Sequence, residues 1–385
     1  MTARRISAIT PFHVMALLAR ARELEARGRS IIHMEIGEPD FITAQPIIDA
    51  GIQALQNGQT HYTPAVGMPA LRHAIARDYS DRYGVSVDPQ RIIITPGASG
   101  ALQLLLALLV DPDSQVLMAD PGYPCNRNFV LLYDGEPVSV PVSAADGYQL
   151  NAQLLERYWT DRTCCAMLAS PSNPTGTLVS PPHLKALLAV VRERGGALLV
   201  DEIYHGLTYG EEAGTALAHG EDVFVINSFS KYFGMTGWRL GWLVAPPECV
   251  ESLDKLAQNL FLAAPTVAQH AALAAFEPQT RVILERRREE FRMRRDYLLP
   301  ALRQLGFGID VEPRGAFYLY ADCSRFTDDS FTFCRELLET AGVAITPGID
   351  FGHFEADHHV RFAYTTSLPQ LRDGVERIAR FTGQA

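Results

Sequence analysis

From about residue 90 onward, short and almost continuously apolar runs alternate with longer helical patterns. Arg91–Thr95, Gln115–Ala119, Cys164–Ala169, Ala197–Val200, Val223–Asn227 and Leu240–Val244 are each four to six residues long. Near-continuous apolarity over that length is the mark of strands covered on both faces. Gly100–Leu109, Pro181–Arg194 and the segment from Pro247 onward carry the helical period between and after them. Strand alternating with helix predicts an α/β fold built on a mostly parallel, doubly wound sheet. Nearer the N-terminus, Val14–Ala26 predicts an amphipathic helix whose apolar side is Met15, Leu17, Leu18 and Leu24. The charged stretch Glu285–Arg295 predicts a long solvated helix, followed by strands at Gly315–Ala321, Ala344–Thr346 and His359–Ala363. The expected organisation is a large α/β domain over 46–284. A smaller α+β domain would combine the N-terminal arm, 1–45, with 285–385.

Composition narrows the class. With 47% hydrophobic residues and 20% charged ones in 385, the chain has material for a sizeable core, which excludes dominant disorder. A net charge of −10 argues against broad binding of nucleic acid or anionic membranes. The run Arg286–Arg295 interleaves acids with its arginines and reads as a helix face rather than a nucleic-acid site. The longest apolar stretch, Ala101–Val110, already contains Gln103 and falls well short of the roughly 20 residues of a membrane span. Six cysteines stand without metal-type spacing or a disulfide framework, which suits a reducing cytoplasm. The first 22 residues hold four arginines and no acid, a faint likeness to a mitochondrial presequence; a first helix is the better reading. His358 and His359 beside Asp357 and Glu355 suggest a metal cluster only superficially, because neighbours on a strand face opposite ways.

The candidate chemistry gathers at strand ends. Lysine occurs only at 185, 231 and 255, and Lys231 follows the strand Val223–Asn227 in a serine- and glycine-containing loop. Asp201 stands at the carboxyl end of Ala197–Val200, the edge along which open α/β sheets bind ligands. Cys164–Ala169 runs into the turn-rich segment 170–176, which exposes Asn173. Arg91–Thr95 runs into Pro96-Gly-Ala-Ser-Gly100, where small residues at a helix start leave N–H groups free for a phosphate. No one of these pieces is specific.

Together, Asn173, Asp201, Lys231 and Arg239, in this order and at these intervals, resemble the signature of the class I/II aminotransferases, fold type I enzymes that use pyridoxal 5′-phosphate (PLP). The resemblance extends from Gly37-Glu-Pro-Asp40 through Tyr62-Thr-Pro-Ala-Val-Gly67 to Arg361. It implies that Lys231 is the Schiff-base lysine and that Asp201 partners the pyridinium nitrogen. Tyr204 and Asn173 would bond the ring O3′. Ala98, Ser99, Gly100, Ser228, Ser230 and Arg239 would hold the phosphate, and Tyr123 would stack on the ring. Tyr62 would reach the phosphate of a neighbouring subunit, which implies a homodimer with shared sites. Arg361 would clamp the substrate α-carboxylate, with Gly37 lending a backbone N–H.

Elementary chemistry agrees with those roles. A dianionic phosphate suits an arginine, hydroxyls and a helix N-terminus. A buried aspartate keeps a pyridine nitrogen protonated and the ring a better electron sink. A guanidinium fork matches a carboxylate in a way that lysine does not. The partners implied are an amino acid and a 2-oxo acid. No motif supplies a second cation for a distal carboxylate, and Phe12, Ile36 and Tyr123 are apolar or aromatic, so a neutral or aromatic amino acid is the expected donor. A C–S β-lyase or another PLP enzyme of the same fold, such as a synthase acting at Cγ, shares these residues and is the alternative; an inactive PLP-binding protein is a more distant one, since Lys231 is retained.

Overall fold

The computed structural model describes residues 2–384; the outermost positions of the expected smaller domain, 1 and 385, lie outside them. Helix α1 (His13–Ala26), strand β1 (Ile32–His33) and helices α2 (Gln45–Gln56) and α3 (Pro69–Tyr83) come first. Alternation then sets in with β2 (Ile92–Thr95), α4 (Gly97–Leu109), β3 (Gln115–Asp120), α5 (Pro124–Leu132) and β4 (Glu136–Pro141). It continues through α6 (Ala152–Tyr158), β5 (Thr163–Ala169), α7 (Pro181–Glu193), β6 (Ala197–Asp201), β7 (Phe224–Ser228) and β8 (Gly241–Val244). Helices α8 (Val250–Leu260), α9 (Thr266–Leu273) and α10 (Pro278–Leu305) lead to β9 (Tyr318–Asp322) and α11 (Ser330–Ala341). Strands β10 (Val343–Ala344), β11 (Thr346–Pro347) and β12 (His359–Ala363) and helix α12 (Leu368–Phe381) complete the chain.

Seven strands form the main sheet in the order β2-β8-β7-β6-β5-β3-β4. Its inner strands are largely apolar because both faces are covered, whereas the edge strand β4 carries an exposed Glu136 and a part-buried Ser139. Ile92 and Ile94 enter one hydrophobic cluster while Ile93 enters the other; Leu117 parts from Val116 and Met118, and Leu199 from Leu198 and Val200, in the same way. Successive side chains on a strand point to opposite faces, so neither face can be polar here.

One strand departs from the parallel pattern. β8 runs antiparallel to both β7 and β2. The chain leaves β7 and turns straight back, with Phe229 N–H donating to Leu240 O at 3.0 Å, so no crossover restores the direction. β4 escaped the sequence reading because Pro137 and Pro141 punctuate it. It is the edge strand beyond β3, where a residue without an N–H is tolerated.

Three further expectations change. Helix α4 starts at Gly97, three residues before the expected Gly100. The stretch Ala344–Thr346 splits between β10, parallel to β1, and β11, antiparallel to β12. The run Glu285–Arg295 is not wholly solvated: Phe291, Arg294 and Arg295 are buried within α10. Arg294 is fixed by Asp40 at 2.9 and 3.0 Å and by Thr365 O at 2.8 Å, so it ties the segment after β1 to the C-terminal strands.

Candidate active site

The parallel strands put five carboxyl ends on one edge of the sheet. β2 delivers the start of α4, β3 delivers Tyr123, β5 Asn173, β6 Asp201 and Tyr204, and β7 the loop that holds Lys231. Every sequence-predicted site residue except Gly100 and Tyr62 lines one cleft of about 450 Å³ there. Arg361 comes from β12 and Gly37 from the segment after β1, so the cleft closes only when the N- and C-terminal parts meet the main sheet.

At the phosphate end, Ala98, Ser99 and Gly100 lie in the first turn of α4, where backbone N–H groups have no helical acceptor. The Arg239 guanidinium leans on that turn: a Cβ on Gly97 would stand 2.6 Å from its Nη2. Gly97 also has φ +70°, the left-handed region that favours glycine. Ser228 and Ser230 join their hydroxyls at 3.0 Å beside it. Arg239 donates to Thr236 O at 3.1 Å, and a cation set against the positive end of a helix favours an anion between them.

Lys231 donates from Nζ to Gly37 O at 2.8 Å. Burial, with Arg361 nearby, lowers its pKa to about 8. Asp201 is 5% exposed, accepts the Ile203 N–H at 3.0 Å, and has its pKa raised by burial to about 7. A buried carboxyl with so little support favours a cationic hydrogen-bond donor. Tyr204 and Tyr318 share a hydroxyl hydrogen bond of 2.9 Å.

Arg361 is the most constrained group. Its Nη1 donates to Asn173 Oδ1 at 2.8 Å and its Nη2 to Glu35 O at 2.6 Å, while the guanidinium lies 4.2 Å from the centre of the Tyr318 ring. Its Nε is buried without a hydrogen-bond partner. Gly37 borders the cleft and its carbonyl accepts the Lys231 Nζ hydrogen bond. A Cβ there would sit 1.8 Å from the Tyr318 hydroxyl.

Two predicted residues stay off the wall. Gly100 lies deeper in α4, against Pro96. Tyr62 is 81% exposed, outside the cleft of its own chain. The site also uses residues that no motif carried. Tyr318 comes from β9 with its ring against the Arg361 guanidinium, Thr346 approaches Arg361 from β11, and Phe351 from the turn that follows it. Helix α1 places Val14, Leu18 and Arg22, spaced by four, on the cleft wall. His359 stacks on Tyr320 with ring centres 4.7 Å apart, and His358 turns toward Asp328. Among the described residues, no three His, Cys, Asp or Glu side chains gather as metal ligands. A larger cleft of about 890 Å³, walled by Arg82, Tyr232 and Arg281, shares no residue with this one.

A sheet edge with a lysine, a buried acid, an anion cradle and a guanidinium fork is the site of a fold type I group-transfer enzyme. The chain belongs to the class I and II aminotransferases, whose sequence pattern matches residues 29–378. It is 36% identical over 99% of both chains to the (5-formylfuran-3-yl)methyl phosphate transaminase of Methanocaldococcus jannaschii. It is 36% identical to the valine–pyruvate aminotransferase of Mycobacterium tuberculosis, over 96% of each chain. A crystal structure of an aminotransferase from Mycobacterium tuberculosis superposes with a TM-score of 0.96 at 36% identity, covering 100% of both chains. The protein is thus an enzyme, a PLP-dependent transferase of amino groups, and the family establishes that coarser statement without naming its substrates.

Proposed function

We propose that this chain moves the amino group of a neutral or aromatic L-amino acid to a 2-oxo acid such as pyruvate or 2-oxoglutarate, using PLP bound at Lys231. The residues present fit the cofactor. Arg239, Ser228, Ser230 and the first N–H groups of α4, with Ala98, Ser99 and Gly100, would hold its phosphate. Asp201 would pair with the ring nitrogen, Tyr204 and Asn173 Nδ2 with the ring oxygen, and Tyr123 would cover one face. When bound, PLP supplies an electron sink for the pair released as the substrate Cα–H bond breaks.

The chain's own groups do the rest. Arg361 would offer its free N–H groups to the α-carboxylate and so orient Cα–H toward Lys231. Held in that geometry, the reacting atoms need little further ordering. An amine with a pKa near 8 is close to the working pH, so Nζ can both take the Cα proton and return it. Arg361 carries the reading: a guanidinium fixed on two sides, with a buried N–H left over, supports a carboxylate ligand. Phe12, Val14, Met15, Leu18, Ile36 and Tyr123 on the walls favour an apolar side chain, and one relative is named for valine and pyruvate.

The same reading retains a homodimer in which Tyr62 completes the neighbouring site. It also retains a large body over 46–284 and a smaller one of 1–45 and 285–385, with α10 passing between them. A cytoplasmic location is supported by six free thiols. No described helix is long and apolar enough to cross a membrane.

Borohydride treatment followed by mass spectrometry should place the reduced cofactor on Lys231. An adduct on Lys185 or Lys255 would overturn the assignment. A screen of the twenty amino acids, following the cofactor's spectrum, should favour alanine, methionine, valine or phenylalanine over aspartate. Release of ammonia and pyruvate in that screen would instead identify a β-lyase.

A further inference from the structure

Tyr318 touches three parts of the site, although no motif carried it there. It is buried at the start of β9, and its side chain lines the cleft. Its hydroxyl lies 2.9 Å from the Tyr204 hydroxyl, and its ring centre lies 4.2 Å from the Arg361 guanidinium. Its tip fills the space that a Cβ on Gly37 would need. Among the described residues, each of the two tyrosine hydroxyls has the other as its only hydrogen-bond partner. Burial pushes both phenols above their ordinary pKa, so both keep their protons. Two hydroxyls can share one hydrogen bond in either sense. Only one sense suits a ligand oxygen in the cleft: Tyr204 donates to that oxygen and accepts from Tyr318, whose proton has no other acceptor.

From this arrangement we infer that Tyr318 is a positioning residue with two arms. Its hydroxyl donates to Tyr204 and strengthens the hydrogen bond that Tyr204 offers the cofactor's ring oxygen, while its ring holds the Arg361 fork in place. The inference rests on the aminotransferase reading and adds a residue to it. A hydroxyl that accepts a hydrogen bond is a better donor, because successive bonds polarise one another where water is excluded. A better donor favours the anionic form of the oxygen it serves, so the chromophore formed by Lys231 and PLP gives up its proton at lower pH. The second arm is independent of the first, since a desolvated guanidinium is attracted to the face of an aromatic ring with or without a hydroxyl. Arg361, Asp201, Lys231 and Tyr123 face the pair from β12, β6, the β7–β8 connection and the end of β3. Removing the Tyr318 hydroxyl leaves all four in place.

The test uses the PLP-loaded enzyme and follows the visible absorption of the Lys231-bound cofactor across pH, without substrate. Tyr318→Phe keeps the ring and should raise the titration midpoint by about 0.5 unit or more. Tyr204→Phe should raise it further. Adding Tyr318→Phe to Tyr204→Phe should then move it by less than about 0.2 unit, because Tyr318 acts through Tyr204. Kinetics separate the second arm. Tyr318→Phe should leave the KM of the preferred amino acid within about two-fold, whereas Tyr318→Leu, which removes the ring, should raise it about ten-fold. The inference is overturned if Tyr318→Phe leaves the midpoint where it was, if the two shifts add in the double variant, or if Tyr318→Leu leaves KM unchanged. Any of these in an enzyme that still transfers amino groups defeats this assignment alone. If the unaltered protein forms no absorbing adduct at Lys231, or transfers no amino group, the aminotransferase reading fails first.

Discussion

Asp201 and Lys231 are displaced in opposite directions by one cause. Burial disfavours charge, so the carboxyl rises to about 7 and the ammonium falls to about 8. For the cofactor-free protein this has a definite sign. A carboxyl with a raised folded pKa contributes stability that is complete below about 4 and lost as pH rises toward 7. Asp201→Asn should therefore stabilise the cofactor-free protein at pH 8, by up to about 4 kcal/mol, and flatten its stability between pH 4 and 7. The same substitution should lower kcat at least a hundred-fold with a smaller effect on KM, because the pyridinium partner acts mainly in the transition state. Denaturant melts across pH and steady-state kinetics check the two halves. Near-normal turnover in Asp201→Asn would remove the acid from the mechanism.

Among the elements, the α4 N-terminus has the strictest requirement. Pro96 and Gly97 turn the chain from β2 into the helix within two residues, so the free N–H groups face the sheet edge. At Gly97 a side chain would meet both a left-handed backbone and the Arg239 guanidinium. Gly97→Ala should weaken PLP binding by ten-fold or more, measured by fluorescence titration, while the melting temperature of the cofactor-free protein shifts by only a few degrees. Equal affinity in the two proteins would mean that this turn does not hold the phosphate. The antiparallel pair β7–β8 acts at the same scale, since the connection between them carries Ser230, Lys231 and Arg239 along the cleft wall, with Ser228 at its start.

At the scale of the whole molecule, the cleft needs distant parts of the chain. β1 pairs with β10 and Arg294 reaches Asp40, so the arm that carries Gly37 is held by the C-terminal strands that carry Arg361. Tyr62, 81% exposed, lies outside the cleft of its own chain. If it completes a partner's phosphate site, Tyr62→Ala and Lys231→Ala should each be inactive alone. After subunit exchange the mixture should recover up to about a quarter of the unaltered activity, since half the dimers are hybrids with one intact site of two. Exchange demonstrated by mass spectrometry without recovered activity would exclude a shared site.

Local pattern and the resemblance together were enough to read most of this protein. Strand after strand is apolar for five residues because the sheet is covered on both sides, and burial of that kind is written in composition and period. Lys231, Asp201 and Asn173 were legible as candidates because each stands at or just past a strand end, and chain connectivity alone brings strand ends to one edge; Arg239, just ahead of β8, was legible only through the resemblance. The direction of β8 was not legible, since a hairpin and a crossover can share one apolar run. Nor was the burial of Arg294, which depends on Asp40, more than 250 residues away in sequence. The use of the Gly37 carbonyl and the Tyr318 hydroxyl rests on distances between elements. Those distances are set by packing, and packing couples residues that no window along the sequence contains.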